Sequence, residues 1–118
     1  MLTQAEVERR IAELDSLLAD ALQTYAGQVV FAARARHAYK LEQAKALLKV
    51  RADPTRFGLP EKPAVALVEA EAFRQVEALA LEAHVAEAHA EAGKEIERGY
   101  QAQLSALQSL LRAVKDQT

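Results

Sequence analysis

Apolar residues recur along the first part of the chain at alternating spacings of four and three positions. Such a stripe is typical of one face of an amphipathic α-helix whose other faces are polar. Its members are Val7, Ile11, Leu14, Leu18, Ala21 and Tyr25. Ahead of the stripe, Thr3 and Glu6 have the spacing of a capping box, in which each side chain accepts a hydrogen bond from the other residue's amide. The pattern predicts a helix that begins at about residue 3.

Helical spacing continues beyond Gly27 to about residue 52. A glycine inside a helix costs only about 1 kcal/mol relative to alanine, so we expect either two helices or one helix kinked at residue 27. In the second part, five residues fall within a narrow arc at about 100° per residue and are predicted to form the buried seam. These residues are Val30, His37, Leu41, Ala44 and Leu48.

The segment from Asp53 to Pro63 contains three prolines and a glycine. A proline lacks an amide hydrogen and disfavours a helical predecessor, so residues 53–63 are predicted to be a loop. From about residue 64 to 115 we expect one long helix, with Gly93 and Gly99 as the points where it would kink or break. Its predicted seam comprises Val65, Ala72, Val76, Leu79 and Ala83, followed by the small residues Ala86, Ala90 and Gly93.

These periods of three and four, with few β-branched residues, predict an all-α fold. The long C-terminal helix would fold back on the first part as an antiparallel helical hairpin or small bundle, with residues 1–118 forming a single domain. Each apolar seam holds for two or three heptads, as in a short coiled coil.

Alanine supplies much of the 51% hydrophobic share, while aromatic residues make up 5% and tryptophan is absent. Because few bulky side chains are available for a wide core, we expect a homo-oligomer. The predicted oligomer interface is the last apolar stripe, formed by Ile96, Tyr100, Leu107, Leu110 and Val114.

The sequence offers little support for catalysis or metal binding. Cysteine is absent, which excludes disulfides and thiolate metal sites. His84 and His89 are five residues apart, whereas two metal-binding histidines on one helix face need a spacing of four. The glutamates of residues 69–97 lack the Glu-x-x-His motifs of di-iron bundles, so a solvated acidic face is favoured over a metal site. We expect no catalytic residues, no cofactor and no enzyme.

The N-terminal residues lack the charged segment and apolar run of a signal peptide. No uncharged run approaches the roughly 18 residues that a membrane-spanning helix needs. The expected location is the cytoplasm, with no membrane association.

A net charge of −2 hides a strongly basic segment. Residues 28–62 carry eight basic and three acidic side chains, whereas residues 63–97 carry two basic and eight acidic ones. These cations could pair with the acidic helix, or they could bind the phosphates of a nucleic acid while Tyr39 and Phe57 stack on its bases. The candidate nucleic-acid-binding residues are Arg34, Arg36, Tyr39, Lys40, Lys45, Lys49, Arg51 and Arg56.

The order of these segments also carries a resemblance. After the capped first helix come Arg36-His37-Ala38-Tyr39-Lys40, Ala46-Leu47-Leu48, Val68-Glu69-Ala70-Glu71-Ala72 and Leu104-Ser105-Ala106-Leu107-Gln108-Ser109-Leu110. This succession resembles small all-helical bacteriophage proteins related to the UvsY-type recombination mediators.

The resemblance implies a homo-oligomer in the host cytoplasm that binds single-stranded DNA and helps to load a recombinase by displacing single-strand-binding protein. It maps the family's basic residues onto Arg34, Arg36, Lys40, Lys45 and Lys49, and its oligomerisation helix onto residues 96–114. We therefore expect a non-enzymatic accessory protein that binds single-stranded DNA through residues 34–56. The alternative is a virion or scaffold protein whose helices bind only other protein helices.

Overall fold

The computed structural model describes residues 2–117, which form two long helices and a short connection. Helix α1 spans Gln4–Ala52 and helix α2 spans Val65–Asp116, with a short 3-10 helix at Pro54–Phe57 between them. The described residues contain no strand. The chain is an all-α helical hairpin, which confirms the predicted fold class.

Both long helices are continuous through their glycines. α1 passes Gly27 without a break, so of the two alternatives that the sequence left open, a single helix spans this region. α2 likewise continues through Gly93 and Gly99. A glycine lowers helix stability by only about 1 kcal/mol, which packing along a long seam outweighs.

The predicted capping box is present at the start of α1. The amide of Thr3 donates to the Glu6 carboxylate at 3.0 Å, and the amide of Glu6 donates to the Thr3 hydroxyl at 3.2 Å. These two bonds satisfy two of the backbone amides that an α-helix leaves unpaired at its N-terminus. The sequence therefore determines this boundary locally.

The loop turns at Gly58, whose φ of 76° lies in the left-handed region that glycine adopts without steric strain. The Gly58 amide donates to the Thr55 carbonyl, and the Leu59 amide donates to the Pro54 carbonyl, both at 3.1 Å. These bonds close the 3-10 turn within the loop that the prolines predict.

The chain divides into two compact units, each of which combines a segment of α1 with a segment of α2. The first unit contains the residues up to Val29 and those from His89 onward. In it, Val7 and Leu14 are buried, as the first stripe predicts. The half-buried apolar residues of this unit are Ile11, Leu18, Ala21, Tyr25, Ala90, Tyr100, Leu104, Leu107, Leu111 and Val114.

The second unit, Val30–Ala88, has an interior of small side chains. Ala46, Ala72 and Val76 form its central cluster, and Tyr39 and Leu47 pack against this cluster. The other buried residues are Ala32, Val50, Val68, Ala83 and Ala86. Small residues at facing positions allow the backbones of two helices to approach closely.

The predicted seam of residues 30–48 is wrong. Val30 is 50% exposed, Leu41 47% and Leu48 67%, and His37 and Ala44 are exposed as well. At 100° per residue, these five positions lie on roughly the opposite side of α1 from its buried residues. Because α1 is one continuous helix, the four-three spacing that begins at Val7 runs on in phase and places Ala32 and Ala46 inside.

The seam of α2 also differs in part from the prediction. Ala72, Val76 and Ala83 are buried as expected, but Val65 is 66% exposed. From residue 97 onward, the positions that are only partly exposed again follow the four-three spacing: Glu97, Tyr100, Leu104, Leu107, Leu111 and Val114. Neither long helix, in the part of the chain that the structure describes, has an apolar stretch able to cross a membrane.

Candidate nucleic-acid interface

The seven predicted DNA-binding cations all belong to the second unit, and all are exposed. On α1 they border four apolar residues and one histidine that face away from the core, which we call the outer stripe: Val30, His37, Leu41, Ala44 and Leu48. At 100° per residue, Lys40 and Arg51 lie along one margin of this stripe, while Arg34 and Lys45 lie along the other. The surface that the structure presents here is therefore both apolar and positively charged.

Among residues 2–117, two of these cations have an acidic partner. The Arg36 Nε lies 3.9 Å from Glu87 Oε1 on α2, and the Lys45 Nζ lies 3.2 Å from Glu42 Oε1 on the same helix. Such exposed pairs contribute about 1 kcal/mol at most. Within residues 2–117, no ion pair involves the other five cations, which are Arg34, Lys40, Lys49, Arg51 and Arg56. Among the described residues, Arg36 is thus the one candidate cation that pairs with the acidic helix α2.

The aromatic residues differ in how open they are to stacking. Tyr39 is half-buried against the cluster of Ala46, Ala72 and Val76, and Phe57 in the loop is also half-buried. Phe31 is 67% exposed and lies three residues before Arg34. It is an exposed aromatic surface close to the cations that a base could reach, and it is not among the predicted DNA-binding residues. Its spacing from Arg34 is the signal that could have identified it, since residues three apart adjoin on a helix.

The five residues of the predicted oligomer interface do not share one exposed face. Tyr100 lines a groove of the first unit together with Leu17, and Leu107 lines another together with Val7. Val114 is half-buried. Ile96 and Leu110 are exposed, by 56% and 38%.

The shortest ion pair among the described residues joins Arg74 and Glu71 on α2. Arg74 donates to both carboxylate oxygens of Glu71, with its Nη2 at 2.7 Å and its Nε at 3.0 Å. The hydrogen bond from Arg74 lowers the pKa of Glu71, with a further contribution from Gln75, although partial burial opposes it. The same bond raises the pKa of Arg74.

No group of three or more histidine, aspartate or glutamate side chains in the described part of the chain is arranged to hold a metal ion. No family model, no curated protein and no solved structure matches the chain. The resemblance to UvsY-type mediators therefore stays a prediction from the order of sequence segments.

Proposed function

We propose that this chain is a non-enzymatic accessory protein that binds single-stranded DNA through the cations of residues 34–56. The observation that carries the proposal is that five of those seven cations have no acidic partner among the described residues. The chain has enough carboxylates to pair every cation, since it contains 17 acidic and 15 basic residues. Free surface cations can neutralise phosphates and release the counterions that these bind.

Phe31 supplies the second element of such a surface. Proteins that bind single strands without sequence preference combine cations along the backbone with aromatic rings on which bases stack. Phe31 is 67% exposed and belongs, like the cations, to the second unit. A stacked base contributes about 1–3 kcal/mol. The combination supports single strands over duplex DNA, whose bases are already stacked.

The resemblance stated above gives this binding a biological setting. A bacteriophage recombination mediator that self-associates would bind single-stranded DNA and present it to a recombinase in place of single-strand-binding protein. Nothing in this setting requires a reacting group or a cofactor.

A salt titration with a fluorescent oligothymidylate tests the proposal. The affinity of the parent protein should fall as salt rises, with a log–log slope of roughly 0.7 per neutralised phosphate. The triple variant Arg34→Gln/Lys40→Gln/Lys49→Gln should lower this slope by about two, because three unpaired cations are lost.

The matched control removes three cations elsewhere, as Arg9→Gln/Lys94→Gln/Arg112→Gln, and should leave the slope nearly unchanged. No binding by the parent protein at low salt would overturn the proposal. An equal loss of slope in both variants would show that overall charge, not this surface, attracts the DNA.

A second candidate function is favoured by the outer stripe. Phosphates do not need apolar side chains, yet Val30, Leu41 and Leu48 are about half exposed or more. Full burial of one such side chain contributes about 1.5–3 kcal/mol. The chain would then be an assembly module that binds protein helices, as a virion or scaffold component does.

A further inference from the structure

The outer stripe of α1 has positive charge on both of its margins. Arg34 and Lys45 follow one margin, and Lys40 and Arg51 follow the other. The one carboxylate of α1 within the second unit, Glu42, is half-buried on the inner side of the helix, where it pairs with Lys45. An occupant of this face must therefore offer an apolar surface with negative charge beside it.

α2 carries an apolar face with the opposite charge within the same unit. Leu81 is 64% exposed and Val85 is 45% exposed. Exposed alanines extend this face on either side, at positions 78 and 88. At 100° per residue the face points away from the buried seam of α2, with Glu77 along one margin and Glu82 along the other. We call it the outer face of α2.

The two glutamates beside this face are available to a partner. Both Glu77 and Glu82 are exposed, and within the described residues neither forms an ion pair. The one cation on the outer face in this unit, Arg74, is already bound by Glu71. The outer face of α2 is therefore apolar with net negative margins.

We propose that the outer stripe of α1 binds the outer face of α2 from a second copy of this chain. Apolar side chains then meet apolar side chains, and the basic margins of one copy meet the free carboxylates of the other. Contact between two α1 stripes would bring cations together, and contact between two α2 faces would bring carboxylates together. The charges therefore select the contact between unlike faces.

A contact between unlike faces has a geometric consequence. In a pair held by one such contact, one copy keeps its α2 face free and the other keeps its α1 stripe free. Further copies can therefore add until the arrangement closes into a ring or continues as a filament. This assembly does not use the C-terminal stripe of residues 96–114, which is the oligomer interface predicted from the sequence.

The assembly also competes with the proposed DNA binding, because Arg34, Lys40 and Lys45 serve both. A ligand that binds only the free surface shifts the equilibrium towards free copies. Single-stranded DNA should therefore lower the average mass of the protein assemblies. The inference goes beyond the proposed function, and either can hold without the other.

Charge reversal in two variants of the full-length chain tests the inference by sedimentation velocity at low salt. The variant Arg34→Glu/Lys40→Glu places a carboxylate on each margin of the outer stripe, while the outer face of α2 stays acidic. The variant Glu77→Lys/Glu82→Lys gives the outer face of α2 basic margins, while the outer stripe stays basic. Each variant alone should assemble at least tenfold more weakly than the parent protein. An equimolar mixture should recover the assembly, because each acidic face again meets a basic one.

Circular dichroism establishes that both variants remain folded, and Glu8→Lys/Asp15→Lys is the control for a change in net charge. That control should assemble within about twofold of the parent protein. A monomeric parent, or a mixture that assembles no better than its components, would overturn the inference. So would a parent assembly that neither pair of reversals weakens.

The same variants separate this inference from the proposed function. Glu77→Lys/Glu82→Lys keeps every cation of α1, so it should bind single-stranded DNA at least as tightly as the parent does. Recovery of assembly in the mixture without any DNA binding would support the inference and reject the proposed function. DNA binding by a strictly monomeric parent protein would support the proposed function and reject the inference.

Discussion

The side-chain oxygen Oε1 of Gln28 occupies the space that a methyl group on Gly93 would need. Both residues belong to the first unit, where Gln28 continues the apolar stripe of α1 and Gly93 continues the small residues of α2. The Gln28 oxygen is buried, and it has no hydrogen-bond partner among the described residues. A single polar side chain in an apolar seam can fix the register of two helices.

This relationship predicts a coupling between the two positions. Gly93→Ala raises intrinsic helix stability but forces the Gln28 amide to move, so the substitution should be less favourable in the parent protein than in a Gln28→Ala background. Residues in direct contact typically show interaction energies of about 0.5–3 kcal/mol, and we expect about 1 kcal/mol here. Urea unfolding of the two single variants and the double variant measures it.

Gly99→Ala is the matched control, because nothing lies within 4 Å of a methyl group at that position. It should stabilise the protein by up to about 1 kcal/mol in either background. Additive effects of Gly93→Ala and Gln28→Ala would mean that the two side chains do not meet.

The phase of α1 can be tested with two nearby alanines. Ala46 is 4% exposed at the centre of the second unit's cluster, whereas Ala44 lies on the outer stripe. Ala46→Leu should lower the free energy of unfolding by about 1–3 kcal/mol, because the packed interior has no room for three more carbon atoms. Ala44→Leu should change it by less than about 0.5 kcal/mol. The opposite ranking in urea unfolding would place the outer stripe inside.

The ion pair between Glu71 and Arg74 predicts a pH dependence of stability. Because the folded pKa of Glu71 is lowered, its stabilising effect is present above the ordinary carboxylate pKa and is lost as the pH falls through the folded pKa. The parent protein should therefore melt at a higher temperature than Glu71→Gln at neutral pH, and the gap should close in acid. Arg74→Ala should remove the same pH-dependent part of the protein's stability, because it removes the other partner of the ion pair. If the difference in melting temperature persists below pH 2, Glu71→Gln acts through packing and not through the ion pair.

Phe31→Ala is predicted to weaken single-strand binding without changing its salt dependence. Loss of one stacked base corresponds to about 1–3 kcal/mol, or roughly 5- to 150-fold in affinity. The number of neutralised phosphates stays the same, so the log–log slope should not move. Leu48→Ala is a matched control, since Leu48 is equally exposed at 67% but has no aromatic ring. Equal losses in both variants would argue against stacking on Phe31.

Local signals made the boundaries of α1 and the loop predictable. The Thr3 and Glu6 pair marks the start of α1 with no help from tertiary contacts, and the prolines exclude a continuous helix through the loop. The first stripe was equally clear, because bulky residues such as Leu14 alternate with charged ones.

The buried face of α1 beyond Gly27 is predicted wrongly because the largest apolar side chains of this alanine-rich segment do not lie in the core. The larger apolar residues here are Val30, Leu41 and Leu48, and their size favours a prediction that they form the core. Continuing the four-three spacing from Tyr25 gives the observed seam, but that path runs through two polar residues, Gln28 and Glu42. The choice between these two faces depends on whether α1 is one continuous helix. A sequence with a central glycine does not establish that continuity.

The candidate site was predictable in charge but not in detail. Exposure of the cations follows from their chemistry, since lysine and arginine are rarely buried without a partner. Which of them pair depends on how the side chains of α1 and α2 meet, as Arg36 and Glu87 do. The role of Tyr39 in the interior follows from the corrected phase.

The outer stripe makes the second unit sensitive to the length of α1 as well as to its composition. At 100° per residue, a deletion of two residues shortly after Val30 would turn the following positions by roughly 200°. Leu41 and Leu48 would then face inward, and the alanines would face solvent. An insertion of seven residues would turn them by only about 20° and would preserve the interior. Insertions and deletions in this helix should therefore be tolerated best when they add or remove close to a whole number of turns, even though other changes of similar length would leave its amino-acid composition almost the same.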